Sequence, residues 1–143
     1  MKAIAEAETF SASHKHERPS QIVRVAVAGA TGYAGLELLR LLSRHPNVRV
    51  ARLMSSGRDG KKEFPIEQSH PSLRGIFSVP CQPLSVEALP PSEVDVVFLA
   101  TPHQTALEIA PQLLERKLRV VDLSAAFRLN NAAAYPRWYG FEH

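Results

Sequence analysis

The stretch Ile22-Val23-Arg24-Val25-Ala26-Val27-Ala28-Gly29-Ala30-Thr31-Gly32-Tyr33-Ala34-Gly35 decides how the chain is read. Alternating β-branched residues up to Ala28 make a short apolar run that ends in glycine, the pattern of a buried strand breaking into a turn. Beyond the turn, Gly35, Leu38, Leu39 and Leu42 fall at i, i+3, i+4 and i+7, with Glu37, Arg40 and Arg44 off that stripe. Tyr33 to Arg44 is therefore predicted as an amphipathic helix. A strand over about Val23 to Ala28 thus feeds a helix through Gly29-x-x-Gly32-x-x-Gly35. Each glycine has a separate job in such a bend. The first allows the tight turn, the second lets backbone amides approach a diphosphate with no Cβ between, and the third lets the helix close on the sheet. The helix start adds unpaired N–H groups and about half a positive charge, which favours an anion. Gly29, Thr31, Gly32, Tyr33, Ala34 and Gly35 are accordingly candidate cofactor-binding residues. The spacing is one residue longer than G-x-G-x-x-G, and the competing reading is a glycine turn with no ligand.

Downstream, His45-Pro46-Asn47 breaks the helix, and Val48 to Met54 alternates as a second strand before the turn Ser55-Ser56-Gly57. Between Gly57 and Glu93, Pro65, Pro71, Pro80, Pro83, Pro90 and Pro91 interrupt the apolar pattern. That region is expected to be loop, with one short strand near Ile76 to Val79. Val94 to Ala100 is an apolar run too short for a helix and fits a strand covered on both faces. Thr101-Pro102-His103-Gln104 then reads as a helix start, with Thr101 as cap, Pro102 at the first helical position and Gln104 closing a T-x-x-Q capping box. Ala106, Ile109, Ala110, Leu113 and Leu114 give its buried stripe, and Pro111 is expected to kink or restart the helix. Leu118 to Leu123 is a further strand. The alternation defines an α/β protein with a doubly wound parallel sheet, Rossmann-like. Residues 1–21 read as a disordered leader, 22–129 as the dinucleotide-binding domain, and 130–143, rich in aromatics but off the pattern, as the start of a second domain.

Composition narrows the class. Seventeen Lys and Arg against 14 Asp and Glu give +3, spread without a basic run, so no nucleic-acid partner is expected. The longest apolar runs, Leu36 to Leu42 and Val94 to Ala100, fall far short of the ~20 residues of a membrane span. A lone cysteine, Cys81, excludes a disulfide framework and fits a reducing compartment, so the cytoplasm is expected. It sits in Val79-Pro80-Cys81-Gln82-Pro83 with no helix start or glycine elbow to activate it, and reads as a structural thiol. No catalytic residue is assigned. His14, His16, His45, His70 and His143 offer no metal-ligand pair at helical spacing, and no metal is expected.

Folds that prefer NAD place Asp or Glu at the end of the second strand. Here that position offers Ser55, Ser56 and then Arg58. Hydroxyls and a guanidinium suit a 2′-phosphate, so NADP (NADPH) is the expected cofactor. The alternative is that Arg58 is a solvated loop charge. His103 follows the carboxyl end of a strand, where open α/β sheets bind ligands. It either lines the nicotinamide side or is an ordinary first-turn residue, while Thr101 and Pro102 shape that loop.

GATGYAG, HPNVRV, VFLATPH, VVDLSAAFRL and WYGFEH, at residues 29–35, 45–50, 97–103, 120–129 and 138–143, together resemble the N-acetyl-γ-glutamyl-phosphate reductase family of arginine biosynthesis. The likeness covers about Val23 to His143. The glycine motif is shared with aspartate-semialdehyde dehydrogenases and epimerase-like proteins, whereas DLSAAFRL and WYGFEH are more specific. The family usually reads D-L-S-A-D-F-R-L; Ala126 stands where its second Asp would be and brings neither charge nor a side-chain hydrogen bond to that position. The resemblance implies a Rossmann-like domain with an inserted substrate domain, in a protein that forms homo-oligomers and takes a small acyl phosphate. In the chemistry it implies, a cysteine thiolate displaces phosphate, the thioester takes a hydride from NADPH to become the semialdehyde, and a histidine manages the proton. Both residues lie downstream of WYG…H in that family, so this chain is expected to supply the cofactor-binding part only and to be inactive alone. Ser124 and Arg128 would face cofactor or substrate phosphate, although Arg128 could equally be a salt-bridge partner. Other classes stay open: a non-enzymatic NADP-sensing Rossmann protein, or a lysine-pathway aminoadipyl-phosphate or aspartyl-phosphate reductase relative. A short-chain dehydrogenase needs Tyr-x-x-x-Lys, and the residues four after each tyrosine are Glu37, Tyr139 and His143.

Overall fold

The computed structural model describes residues 21–56 and 62–143. Arg58 and residues 1–20 of the expected leader lie outside the described residues. The first strand, β1, is Val23–Ala28, and it leads into helix α1, Tyr33–Leu42. Strand β2 is Val48–Ser55, β3 is Cys81–Pro83, β4 is Val96–Leu99 and β5 is Arg119–Asp122. Helix α2 spans His103–Glu115 and α3 spans Tyr135–Tyr139. The five strands lie in the order β3-β2-β1-β4-β5, every neighbouring pair parallel. This is the Rossmann-like doubly wound sheet that strand–helix alternation predicts.

Side-chain alternation explains why the sheet is covered on both faces. In β1, Val25 and Val27 pack with Leu39 and Leu42 of α1, together with Leu53, Phe64, Ile66, Leu73 and Cys81. Ala26 and Ala28 point the other way, into a cluster with Val97 and Leu99 of β4 and Ala106, Ile109, Ala110 and Leu113 of α2. A strand that is apolar at every second residue on each face has no solvated side. The register between β1 and β2 shifts between Val25 and Ala26, so that Val25 opposes Val50 while Ala26 opposes Arg52.

Three local expectations are corrected. The short strand falls at Cys81–Pro83 and not at Ile76 to Val79, because Leu53 and Met54 of β2 register with Cys81 and Gln82. Cys81 is fully buried and bridges to Phe64, whereas Ile76 is exposed. The T-x-x-Q capping box does not form. Pro102, in extended conformation (φ −55°, ψ 152°), holds the cap position itself and accepts from the Ala106 amide, which leaves Thr101 one residue too far from the helix to cap it. Pro111 does not restart α2, which continues through it to Glu115, although the ring removes one backbone donor from the helix.

Two short 3-10 turns, Ile66–Gln68 and Pro71–Leu73, lie between β2 and β3. Ile66 and Leu73 are both fully buried, and they anchor this proline-rich region onto the α1 face.

Candidate functional site

β1 and β4 are adjacent, yet the chain leaves them toward opposite sides of the sheet, and a crevice opens beyond the carboxyl ends of strands that diverge in this way. How closely those ends approach is read from Gly29. Its φ is +84°, and a Cβ there would lie 2.1 Å from the carbonyl oxygen of Ala100. Gly35 is required for a different contact: its Cβ would lie 2.3 Å from the Gly29 oxygen and 2.9 Å from Ala30 backbone atoms. The third glycine thus closes the helix onto its own loop, one step short of the sheet contact expected for it. Gly32 differs from both. A Cβ there would meet nothing among the described residues nearer than 3.5 Å, so they leave room for a side chain at that point.

A cleft of about 180 Å³ opens at this switch point, lined by Gly29, Thr31, Gly32, Ser56, Leu84, Ala100, Thr101, Pro102 and Thr105. Its donors are in place. The amides of Gly29 and Ala30 both donate to the Met54 carbonyl, and that of Gly32 donates to Gly29. Among the described residues, the amides of Thr31, Tyr33, Ala34 and Gly35 have no acceptor, and no side chain caps α1. The Thr101 hydroxyl is buried and has no hydrogen-bond partner among the described residues, a state that costs about 1–3 kcal/mol unless something else satisfies it. An orphaned hydroxyl, the unpaired Thr31 amide and a bare Gly32 line one cleft, with the free first-turn amides of α1 next in the chain, and this set fits a polyanionic ligand with hydroxyl groups.

The remaining predicted residues are placed less uniformly. Ser56 lines the cleft, but Ser55 is buried behind it, its carbonyl accepting from the Leu84 amide. Tyr33 stands almost fully exposed at the start of α1, beside the cleft and not in it. His103 stacks on Phe141, ring centroids 4.9 Å apart and planes 11° from parallel, with Tyr139 at 6.4 Å. Its ring is therefore covered by the C-terminal segment, which Tyr135 anchors: that fully buried residue exchanges hydrogen bonds with the Leu129 backbone through its hydroxyl. The Ser124 hydroxyl donates to Asp122 and accepts from the Ala126 amide, so it is engaged locally. Arg128 is exposed and donates to the Ser124 carbonyl; the ion pairs among the described residues do not include it. Ala126 is fully buried in the α2-face cluster. Among the described residues no group of His, Cys, Asp or Glu is arranged to hold a metal ion, and no helix is long and apolar enough to cross a membrane.

Sequence reasoning missed Leu84, Ala100 and Thr105, which line the cleft, and His70, whose Nε2 lies 3.0 Å from the Ala30 carbonyl oxygen in the glycine loop. The spacing of Thr101 and Thr105, four apart at a helix start, is a signal that could have found Thr105. Among the described residues, the carboxylate held far from its ordinary range is elsewhere. The Arg24 guanidinium and backbone amide both bond Asp95 and hold its carboxyl at about 2, at the amino end of the sheet, opposite the cleft.

Fold and cleft define a Rossmann-type nucleotide-binding domain. The chain belongs to the semialdehyde dehydrogenase NAD-binding domain family, which residues 24–137 match. It is 43% identical over 118 residues to the N-acetyl-gamma-glutamyl-phosphate reductase of Desulforapulum autotrophicum, covering 82% of this chain and 33% of that protein. The enzyme of the same name from Escherichia coli K12 is 42% identical over 123 residues, covering 85% of this chain and 36% of the relative. A [LysW]-L-2-aminoadipate/[LysW]-L-glutamate phosphate reductase of Sulfurisphaera tokodaii is 43% identical over 122 residues, 85% of this chain and 34% of that protein. The chain thus spans about a third of the length of the curated relatives it matches. Among solved structures, the aspartate semialdehyde dehydrogenase of Candida albicans, crystallised with NADP, shares the fold with a TM-score of 0.62 at 22% identity over 78% of this chain and 32% of that one.

Proposed function

We propose that this chain is the NADPH-binding part of an enzyme that reduces N-acetyl-γ-glutamyl phosphate to the semialdehyde with release of phosphate. The observation that carries the reading is the cleft at the β1–β4 switch point, lined by Thr31 with its unpaired amide and by a glycine that the fold does not itself require, with the free first-turn amides of α1 following directly in the chain. In this reading the amides of Thr31, Tyr33, Ala34 and Gly35 hold the diphosphate, assisted by the positive end of α1. Ser56 and the Thr101 hydroxyl hold ribose or phosphate oxygens, and Thr101 thereby gains the partner it lacks. The coenzyme, when bound, supplies hydride to an acyl carbon. Pro102 lines the end of the cleft where the nicotinamide would lie, and His103, next to it in the chain and stacked on Phe141, would steady that turn from outside the cleft. Arg128, exposed on the rim after β5, is the candidate for the substrate phosphate. Residues 130–143 then lead into a further domain, one that builds both the substrate site and a homo-oligomer interface.

A second substrate reading is favoured by a specific observation: the carrier-linked aminoadipyl or glutamyl phosphate reductase matches as well as the N-acetylglutamyl enzymes do. The nucleotide site would be the same in both.

Preference for NADPH is assigned to Arg58, with Ser56, in place of the carboxylate that selects NAD. Fluorescence titration of NADPH and NADH into the unmodified chain and Arg58→Ala tests it. NADPH is expected to bind roughly tenfold or more tightly than NADH, about 1.4 kcal/mol, with most of that difference gone in the variant. Equal affinities in the unmodified chain contradict the assignment.

A further inference from the structure

We propose that His70 is a positioning residue for the nucleotide site, holding the Ala30–Thr31 peptide so that the Thr31 amide faces the cleft; the functional part of this inference rests on the cofactor reading above. His70 lies forty residues from the glycine loop in sequence, and its Nε2 is 3.0 Å from the Ala30 carbonyl oxygen. A carbonyl can only accept, so the ring must donate through an Nε2–H. The peptide is trans, and in a trans peptide the carbonyl and the following N–H point in opposite directions. Fixing the Ala30 oxygen toward His70 on one side therefore fixes the Thr31 amide on the other. Thr31 lines the cleft, and its amide has no acceptor among the described residues.

The brace is itself held at both ends. The His70 amide donates to the Ile66 carbonyl at 2.9 Å, and its carbonyl accepts from the Leu73 amide at 2.9 Å. Ile66, Leu73 and Ala30 are all fully buried in the same apolar cluster. Neither end can drift without disturbing that core, so the ring reaches the loop from a fixed platform. The Met54 carbonyl holds the Gly29 and Ala30 amides and the Gly29 carbonyl holds that of Gly32; His70 adds the hold on the Ala30–Thr31 peptide from its carbonyl side, and preorganised donors bind an anion without the cost of ordering them.

The experiment uses the unmodified chain, His70→Ala and His70→Gln, with two readouts. Nitrogen NMR of the His70 ring and the Thr31 amide is recorded without nucleotide, and NADPH affinity is measured by titration. The inference expects a proton on Nε2, a shifted and faster-exchanging Thr31 amide in His70→Ala, and a fivefold or greater loss of NADPH affinity that His70→Gln, which keeps a donor, largely restores while melting temperatures stay close. A ring protonated only at Nδ1, or an unmoved Thr31 amide in His70→Ala, overturns it. Normal NADPH affinity in His70→Ala also overturns it, with the cofactor reading intact. If the unmodified chain takes up no nucleotide while both NMR signatures are present, the cofactor reading fails and the brace stands as a feature of the loop alone.

Discussion

Three glycines spaced three apart do three different things, and their substitutions should separate accordingly. At Gly35 a methyl group would meet backbone atoms at 2.3 and 2.9 Å, neither of which is a flexible side-chain end. Gly35→Ala is therefore expected to destabilise the fold by about 2 to 3 kcal/mol, read by chemical denaturation. Gly32 sits at the cap of α1 with φ −85° and ψ 170°, a conformation open to a β-branched residue, and has 3.5 Å of clearance. Threonine caps helices about as well as glycine, so Gly32→Thr should stay within about 0.5 kcal/mol of the unmodified protein. NADPH affinity should nonetheless fall at least tenfold, because the side chain fills the approach to the amides. A stable Gly32→Thr that binds NADPH normally would remove the diphosphate from this loop.

At the scale of elements, β1 is tied to the start of β4 at its amino end by Arg24, which bonds Asp95 through amide and guanidinium and also reaches the Ser92 carbonyl. These contacts hold the Asp95 carboxyl at about 2, below its ordinary 3.8. A carboxyl lowered by folding stabilises the native state above its unfolded value and loses that contribution as it is protonated. The contribution is thus complete above about pH 5 and drains away as pH falls from about 4 through 2. Because the pair is partly exposed, screening leaves about 1 kcal/mol at neutral pH. Asp95→Asn should be less stable than the unmodified chain at pH 7 by about that amount, and the gap should close on acidification toward pH 2. A gap independent of pH would show that the charge on Asp95 contributes nothing. The elements themselves were mostly legible: β1, α1, β2, β4, α2 and β5 follow from periodicity and glycine or proline punctuation, because each buries a regular face. What sequence reasoning misplaced was decided by distant partners. The position of β3 depends on registry with Leu53 and Met54, and the cap of α2 depends on the extended backbone of Pro102.

Across the whole molecule, the switch point joins segments far apart in sequence: the glycine loop, Ser56, Leu84, and the Ala100 to Thr105 turn. The glycine loop, Ser56, Thr101 and Pro102 could be anticipated because strand ends and helix starts carry local signatures. Leu84 and His70 could not, since each sits in a proline-rich stretch without periodicity and reaches the site only after the chain has packed. The local bonding of the Ser124 hydroxyl and the stacking of His103 on Phe141 are likewise products of tertiary contact. All of the functional reading depends on whether this assembled cleft takes up the coenzyme. Isothermal titration of NADPH into the folded, unmodified chain measures that directly: one-to-one saturable uptake, tighter than that of NADH, is the predicted result, and a folded protein that gives no binding heat with either nucleotide at several temperatures would contradict it.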